Sequence, residues 1–149
     1  LDEKFAKGLV EWLAGQCAMP VKLARDGQAP EPGAVLLPDR EDHLVLNAQG
    51  LLEYRKEPVA YYYRPSVDVF FESVVKHWKH PAAGVILTGM GRDGAKGLKQ
   101  MRDCGFTTIA QDRETSAVYG MPKAAAELGA ATHILPLQKI APALLRLNP

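Results

Sequence analysis

The stretch Val85-Ile86-Leu87-Thr88-Gly89-Met90-Gly91-Arg92-Asp93-Gly94 indicates the fold, because an apolar strand, a glycine-rich turn and the start of a helix follow one another in it. Glycines let such a turn reverse tightly and expose N–H groups toward anions or developing negative charge. In open parallel sheets, binding and catalytic groups gather at the carboxyl ends of strands. We therefore expect the turn at residues 88–94 to be the functional centre.

Strands and helices alternate from this stretch to the end of the chain. The pattern predicts strands over residues 84–87, 107–110 and 132–135, and helices over 95–103, 122–128 and 137–147. Such alternation predicts a mostly parallel sheet with helices on both faces, which is a doubly wound, Rossmann-like α/β fold.

The first half of the chain is less regular. An amphipathic helix is predicted over residues 2–16, with Phe5, Leu9, Trp12 and Leu13 on its apolar face. The pattern then predicts short strands over 21–23, 34–37, 43–46 and 51–54, the last two forming a small β-hairpin, and a helix over 67–78 that Ser66 caps. Because doubly wound domains normally begin with a strand, we expect N-terminal strands outside this chain.

Composition narrows the class of protein. The chain of 149 residues has the size of one domain, with 47% hydrophobic and 23% charged residues. A net charge of +1 without a basic stripe argues against nucleic-acid binding, and no apolar run is long enough for membrane insertion. Cys17 and Cys104 lack metal-ligand spacing, so we expect reduced thiols, a cytoplasmic setting and no metal site.

The turn formally matches the dinucleotide fingerprint as Gly89-x-Gly91-x-x-Gly94, with Asp112 about where a ribose-binding acid would stand. Two features oppose a dinucleotide-binding domain. Too little chain follows Gly94 for a second mononucleotide half, and the Asp93 carboxylate would repel a pyrophosphate. Nucleotide binding remains an alternative.

Asp93 itself has two interpretations. A carboxylate on a tight turn at a strand end can orient a histidine and stabilise the imidazolium that forms during acyl transfer. The other interpretation is structural, with Asp93 capping the helix that starts at Ala95.

Five segments together resemble the chemotaxis-type protein-glutamate methylesterases, the CheB family. They agree in order and spacing over nearly the whole chain: Leu87-Thr88-Gly89-Met90-Gly91-Arg92-Asp93-Gly94, Arg64-Pro65-Ser66-Val67-Asp68, Ile109-Ala110-Gln111-Asp112, Val118-Tyr119-Gly120-Met121-Pro122 and Glu127-Leu128-Gly129-Ala130.

The resemblance implies a function. The family hydrolyses glutamyl methyl esters on methyl-accepting receptor helices with a Ser-His-Asp triad, and often deamidates receptor glutamines. Asp93 matches the triad aspartate, and Met90, with Gly91 beside it, matches the oxyanion side of the site. The resemblance implies no cofactor, and an N-terminal receiver domain is a further expectation for the longer protein.

The departures from the family pattern are equally informative. The chain has neither the Gly-x-Ser-x-Gly-Gly turn nor the histidine that supply the other two triad members. Residues 1–149 are thus expected to be about the C-terminal three-quarters of a single catalytic domain, inactive alone; a catalytically dead signalling domain is the alternative. Tyr63 stands where the family commonly carries histidine, which resembles a surface-sensing, Wsp-like branch.

Other serines and histidines are interpreted structurally. Ser73 is predicted on the polar outer face of its helix, and Ser116 lies in a loop without the strained turn that activates a nucleophile. His43 is assigned a structural hydrogen bond, with catalysis as the alternative. The run at residues 61–63 is predicted as an edge strand or a rim whose tyrosines suit partner docking.

Overall fold

A computed structural model describes residues 3–147, and the side chains from residue 5 onward. These residues form five helices and seven strands, in the order α1 (Glu3–Gln16), β1 (Val21–Leu23), β2 (Val35–Leu37), β3 (His43–Leu46), β4 (Leu52–Arg55), α2 (Val67–His77), β5 (Ala83–Ile86), α3 (Ala95–Asp103), β6 (Thr107–Gln111), α4 (Met121–Glu127), β7 (His133–Leu135) and α5 (Leu137–Leu145). The predicted elements are all present, with ends displaced by at most two residues; Asp2 lies outside the described residues.

The α/β fold is confirmed, with the strands divided among three small sheets. Strands β5, β6 and β7 are parallel, β1 and β2 form a separate parallel pair, and β3 and β4 form the predicted antiparallel hairpin. Within residues 3–147 no strand joins β2 to β5, so the expected single sheet is present as separate parallel parts.

The main core lies between the β5–β7 sheet and helices α2, α3 and α4. Ile86 and Ala110 on the sheet face Leu98 and Met101 of α3, and all four side chains are at most 2% exposed. This packing fixes the carboxyl ends of β5 and β6 side by side, because the two strands pair in parallel register. The turns that follow these strands therefore meet at one edge of the sheet.

Helix α1 differs from its predicted packing. Ala6 is buried, but Phe5 is 59% and Trp12 is 63% exposed, although both belong to the predicted apolar face. Among the described residues, α1 packs mainly on the short strand β1, which is too small to cover the whole apolar face. None of the five helices within residues 3–147 combines the length and apolar character needed to cross a bilayer.

Helices α2 and α3 approach closely at Gly97, and this contact gives a first prediction. A Cβ at Gly97 would lie 2.7 Å from the Phe71 Cβ and 2.9 Å from the Asp68 carbonyl oxygen. We expect Gly97→Ala to lower the free energy of unfolding by about 1–2 kcal/mol, since overpacking outweighs the gain in helix propensity. Gly8→Ala in α1, where the added Cβ has nothing within 4 Å, should instead stabilise. Denaturant unfolding measures the free energy of unfolding of both variants. Equal changes in the two variants would contradict the close contact between α2 and α3 at Gly97.

Candidate active site

The Asp93 carboxylate lies at the N-terminus of α2. Its Oδ2 accepts a hydrogen bond from the Val67 amide at 2.7 Å. Its Oδ1 accepts one from the Ser66 hydroxyl at 2.7 Å and one from the Asp68 amide at 3.1 Å. Unpaired amides and the helix dipole both favour a negative charge at this position. The carboxylate is therefore held by three donors that come from one end of a single helix.

These contacts correct the capping interpretation of Asp93. Helix α3 begins at Ala95 with Gly94 as its N-cap, and this glycine supplies no side-chain hydrogen bond to the helix. Asp93 instead binds the N-terminus of α2, which lies 25–27 residues earlier in the chain. The side chain is half-buried. An ionised carboxylate offers about four lone-pair positions, so the three donors leave roughly one of them open, on Oδ2.

Asp68 makes the reciprocal connection. Its Oδ1 accepts a hydrogen bond from the Gly97 amide at 2.8 Å, in the first turn of α3. Burial raises the pKa of Asp68, and the hydrogen bond from Gly97 opposes that rise. The N-terminus of α2 thus binds the Asp93 carboxylate, and the N-terminus of α3 binds the Asp68 carboxylate. These reciprocal contacts fix the turn against α2.

The loop that follows β6 braces the turn from its other side. The Thr88 amide donates to the Gln111 side-chain oxygen at 2.7 Å, and the Gly89 amide donates to the Val118 carbonyl at 3.1 Å. The Gly89 carbonyl accepts from the amides of Gly120 and Met121 at 3.2 and 2.9 Å. Residues 88–94 are therefore clamped between α2 and the 111–121 segment rather than being a loose surface loop.

Met90 and Gly91 lie at the open side of this turn. Met90 is 80% exposed, and Gly91 has a φ of +93°, a conformation that favours glycine. Within residues 3–147, the amides of Met90 and Gly91 donate no hydrogen bond. Two backbone donors close to a fixed carboxylate are the kind of group that stabilises an oxyanion.

The other predicted groups are engaged elsewhere. Ser73 was predicted on the outer face of α2 but is buried, with its Oγ accepting from the Leu46 amide and donating to the Phe70 carbonyl. This prediction was wrong because the β3 strand packs on that face of α2.

Asp112 is the residue that would bind a ribose in the dinucleotide alternative. Its carboxylate already accepts hydrogen bonds from the Thr115 amide and hydroxyl. The Ser116 hydroxyl donates to the Asp112 carbonyl.

His43, Ser66 and Asp93 include the three residue types of a hydrolytic triad, but their geometry is not that of a nucleophile relay. The Ser66 hydroxyl donates to Asp93, while the His43 Nδ1 accepts from the Ser66 amide at 3.1 Å rather than from the hydroxyl. Ser66 is only 2% exposed and His43 is 0% exposed. A buried serine whose hydroxyl has no imidazole partner is not placed to attack an ester.

Asp93 has no imidazole partner in the described part of the chain; its hydrogen bonds come from Ser66, Val67 and Asp68 alone. Among the same residues, no three His, Cys, Asp or Glu side chains converge as a metal site. The run at residues 61–63 forms no strand. Tyr62 is 92% exposed, and Tyr63, in edge-to-face contact with it at 5.1 Å, lies against Gly91.

Comparisons with known proteins give one consistent result. The family described as CheB methylesterase matches residues 1–144. A protein-glutamate methylesterase/protein-glutamine glutaminase of Cupriavidus metallidurans is 65% identical over 144 residues, which cover 97% of this chain and 43% of that protein. A protein-glutamate methylesterase/protein-glutamine glutaminase of Pseudomonas aeruginosa is 59% identical over 144 residues, again covering 97% of this chain and 43% of that protein.

A solved structure agrees with the sequence matches. The crystal structure of the Thermotoga maritima CheB methylesterase catalytic domain superimposes with a TM-score of 0.90 at 38% identity. The alignment covers 96% of this chain and 77% of that domain. The chain thus spans less than half the length of the curated relatives and about three-quarters of the solved domain.

Proposed function

The chain belongs to the CheB methylesterase family, and we propose that residues 1–149 form the C-terminal three-quarters or so of a methylesterase catalytic domain. The share of the Thermotoga maritima domain that the chain covers, 77%, supports this extent. The proposed reaction is hydrolysis of glutamyl methyl esters on methyl-accepting receptor helices. Glutamine deamidation, which the relatives' names also carry, is proposed as a second reaction of the same site.

The proposed chemistry is acyl transfer, with Asp93 supplied by this chain and a serine and a histidine supplied by the rest of the domain. The serine attacks the ester carbonyl while the histidine takes its proton, and methanol leaves after accepting that proton. Water then hydrolyses the acyl-enzyme. For a glutamine substrate, ammonia leaves in place of methanol. Asp93 orients the imidazole and stabilises its charged form throughout.

The single observation that carries this proposal is the hydrogen bonding of the Asp93 carboxylate, which is fixed in place but not fully occupied. Three donors from α2 fix its position, and one lone-pair position on Oδ2 is left for a further donor. The Met90 and Gly91 amides precede Asp93 in the same turn and have no acceptor among residues 3–147, and they are the proposed donors to the tetrahedral oxyanion.

The proposed function is tested by methanol release from a methylated receptor. We expect the complete protein to release methanol and the 149-residue chain to release none, since residues 1–149 contain neither the motif serine nor the motif histidine of the proposed triad. No methanol from the complete protein would instead support a catalytically dead signalling domain. Thermal stabilisation of the chain by NAD would support the dinucleotide alternative.

The proposed partner is a receptor helix, and a cytoplasmic location with an N-terminal receiver domain belongs to the same proposal. The exposed ring of Tyr63 beside Gly91, and the exposed ring of Tyr62 that contacts it, support docking here, because aromatic side chains are enriched at protein interfaces.

This docking proposal gives a second prediction. Tyr62→Ser should raise KM for the receptor about tenfold with little change in kcat, since it removes contact area without removing a group of the proposed acyl-transfer site. Leu145→Ser is the matched control: Leu145 is 76% exposed on α5, whose end lies near the start of β5 and β6, away from the turn. An unchanged KM for Tyr62→Ser would contradict docking on this rim.

A further inference from the structure

Ser66 connects three parts of the site through separate atoms. Its hydroxyl donates to Asp93 Oδ1 at 2.7 Å, and its Oγ accepts a longer hydrogen bond of 3.4 Å from the Val69 amide as the N-cap of α2. Its amide donates to the Nδ1 of His43 at 3.1 Å. Ser66 is 2% exposed, so these contacts are shielded from water.

The partners of His43 determine its protonation. Nδ1 accepts the Ser66 amide, and Nε2 lies 3.2 Å from the Pro58 carbonyl oxygen, to which it can only donate. The imidazole is therefore neutral, with its proton on Nε2. Because the ring is 0% exposed and bonded at both nitrogens, it fixes the backbone of Ser66 relative to the β3–β4 hairpin.

The direction of the Ser66 hydroxyl proton follows from these bonds. Because the Val69 amide can only donate to the Ser66 Oγ, the single hydroxyl proton is left for Asp93. Oδ1 of Asp93 therefore accepts two hydrogen bonds, from this hydroxyl and from the Asp68 amide. The open lone-pair position is then on Oδ2. Loss of the hydroxyl would leave Oδ1 with one donor at 3.1 Å and allow the carboxylate to rotate.

We propose that Ser66, held by His43, is a positioning residue that sets which oxygen of Asp93 receives the catalytic imidazole. This inference rests on the proposed methylesterase function. It assigns to the buried serine of the Arg64-Pro65-Ser66 segment a role beyond capping α2, and it makes the hairpin histidine a support for the site rather than a reacting group.

The test compares Ser66→Ala, Ser66→Thr and Ser73→Ala in the complete methylesterase. Ser73 is the matched control, because it is a second buried serine hydroxyl in this part of the chain, but its two partners are the Leu46 amide and the Phe70 carbonyl rather than Asp93. We expect Ser66→Ala to lower kcat about tenfold at unchanged KM. Ser66→Thr, which keeps the hydroxyl, should restore most of the activity, and Ser73→Ala should destabilise the fold with wild-type kcat. Equal kcat for Ser66→Ala and Ser73→Ala would overturn the proposal.

A second measurement separates this inference from the proposed function. Amide hydrogen exchange at Val67 and Asp68 reports their bonds to Asp93 whether or not the protein hydrolyses esters. We expect Ser66→Ala to speed exchange at Asp68, which shares Oδ1, more than Ser73→Ala does. An inactive wild-type protein would contradict the methylesterase function, and the exchange rates would then decide the Ser66–Asp93 connection. Equal rates in the two variants would rule it out.

Discussion

Replacing Asp93 by asparagine in the complete protein is expected to lower kcat of the proposed esterase reaction about 10⁴-fold, the size of loss known for this exchange in a Ser-His-Asp triad. The amide cannot stabilise an imidazolium, and it favours the wrong imidazole tautomer. The structure adds a cost in stability. The amide NH₂ would replace an oxygen that accepts the Val67 amide or the Ser66 hydroxyl, so about 1–3 kcal/mol of stability should also be lost.

The matched control for this prediction is Asp112→Asn. Asp112 is also half-buried and follows a strand of the same sheet, but its carboxylate accepts from Thr115, and an asparagine oxygen can accept the same bonds. Methanol release from methylated receptor should be near wild type for Asp112→Asn and close to background for Asp93→Asn. A kcat for Asp93→Asn within tenfold of wild type would show that Asp93 is not a member of a catalytic triad.

Gly94→Ala is expected to destabilise the protein by about 3 kcal/mol, the largest effect on folding that we predict. Gly94 has a φ of +88°, which strains any residue with a Cβ, and that Cβ would lie 2.7 Å from Val67 Cγ1. Activity should fall as well, because a displaced Val67 can no longer donate correctly to Asp93.

Gly105→Ala separates the two causes of this destabilisation. Gly105 has a φ of +86°, yet a Cβ there has nothing within 4 Å. It should therefore lose only the backbone contribution, about 1 kcal/mol, when both variants are compared by denaturant unfolding. Equal losses in the two variants would show that the contact between the turn and α2 is unimportant for stability.

The sequence predicts local structure well here and long-range structure less well. Helix α3 begins and ends where its pattern predicts, because the glycines at 94 and 105 mark its ends. The division of the strands into separate sheets was not predicted, since alternation of strands and helices does not reveal which strands pair. The apolar pattern of α1 likewise indicated a face without revealing what covers it.

The same limit applies to the candidate site. The family motifs identified Asp93, Met90 and Gly91 as candidates, but the capping interpretation of Asp93 named the wrong helix. A cap for α3 is a local expectation, whereas the observed donors on α2 are 25–27 residues away. The sequence did contain one sign of the α2 contact. Ser66 begins a helix whose unpaired amides attract a carboxylate. Because Gly94 is the N-cap of α3, the Asp93 carboxylate is available to those amides.

The position of the catalytic imidazole relative to Asp93 tests the central claim most directly. A crystal structure of the complete methylesterase would measure the distance from each Asp93 oxygen to the nearest histidine nitrogen. We predict a nitrogen within about 2.6–3.2 Å of Oδ2, with the Ser66 and Asp68 bonds to Oδ1 retained. An Asp93 carboxylate that contacts only the N-terminus of α2, with no imidazole in reach, would contradict its role as the third member of a triad.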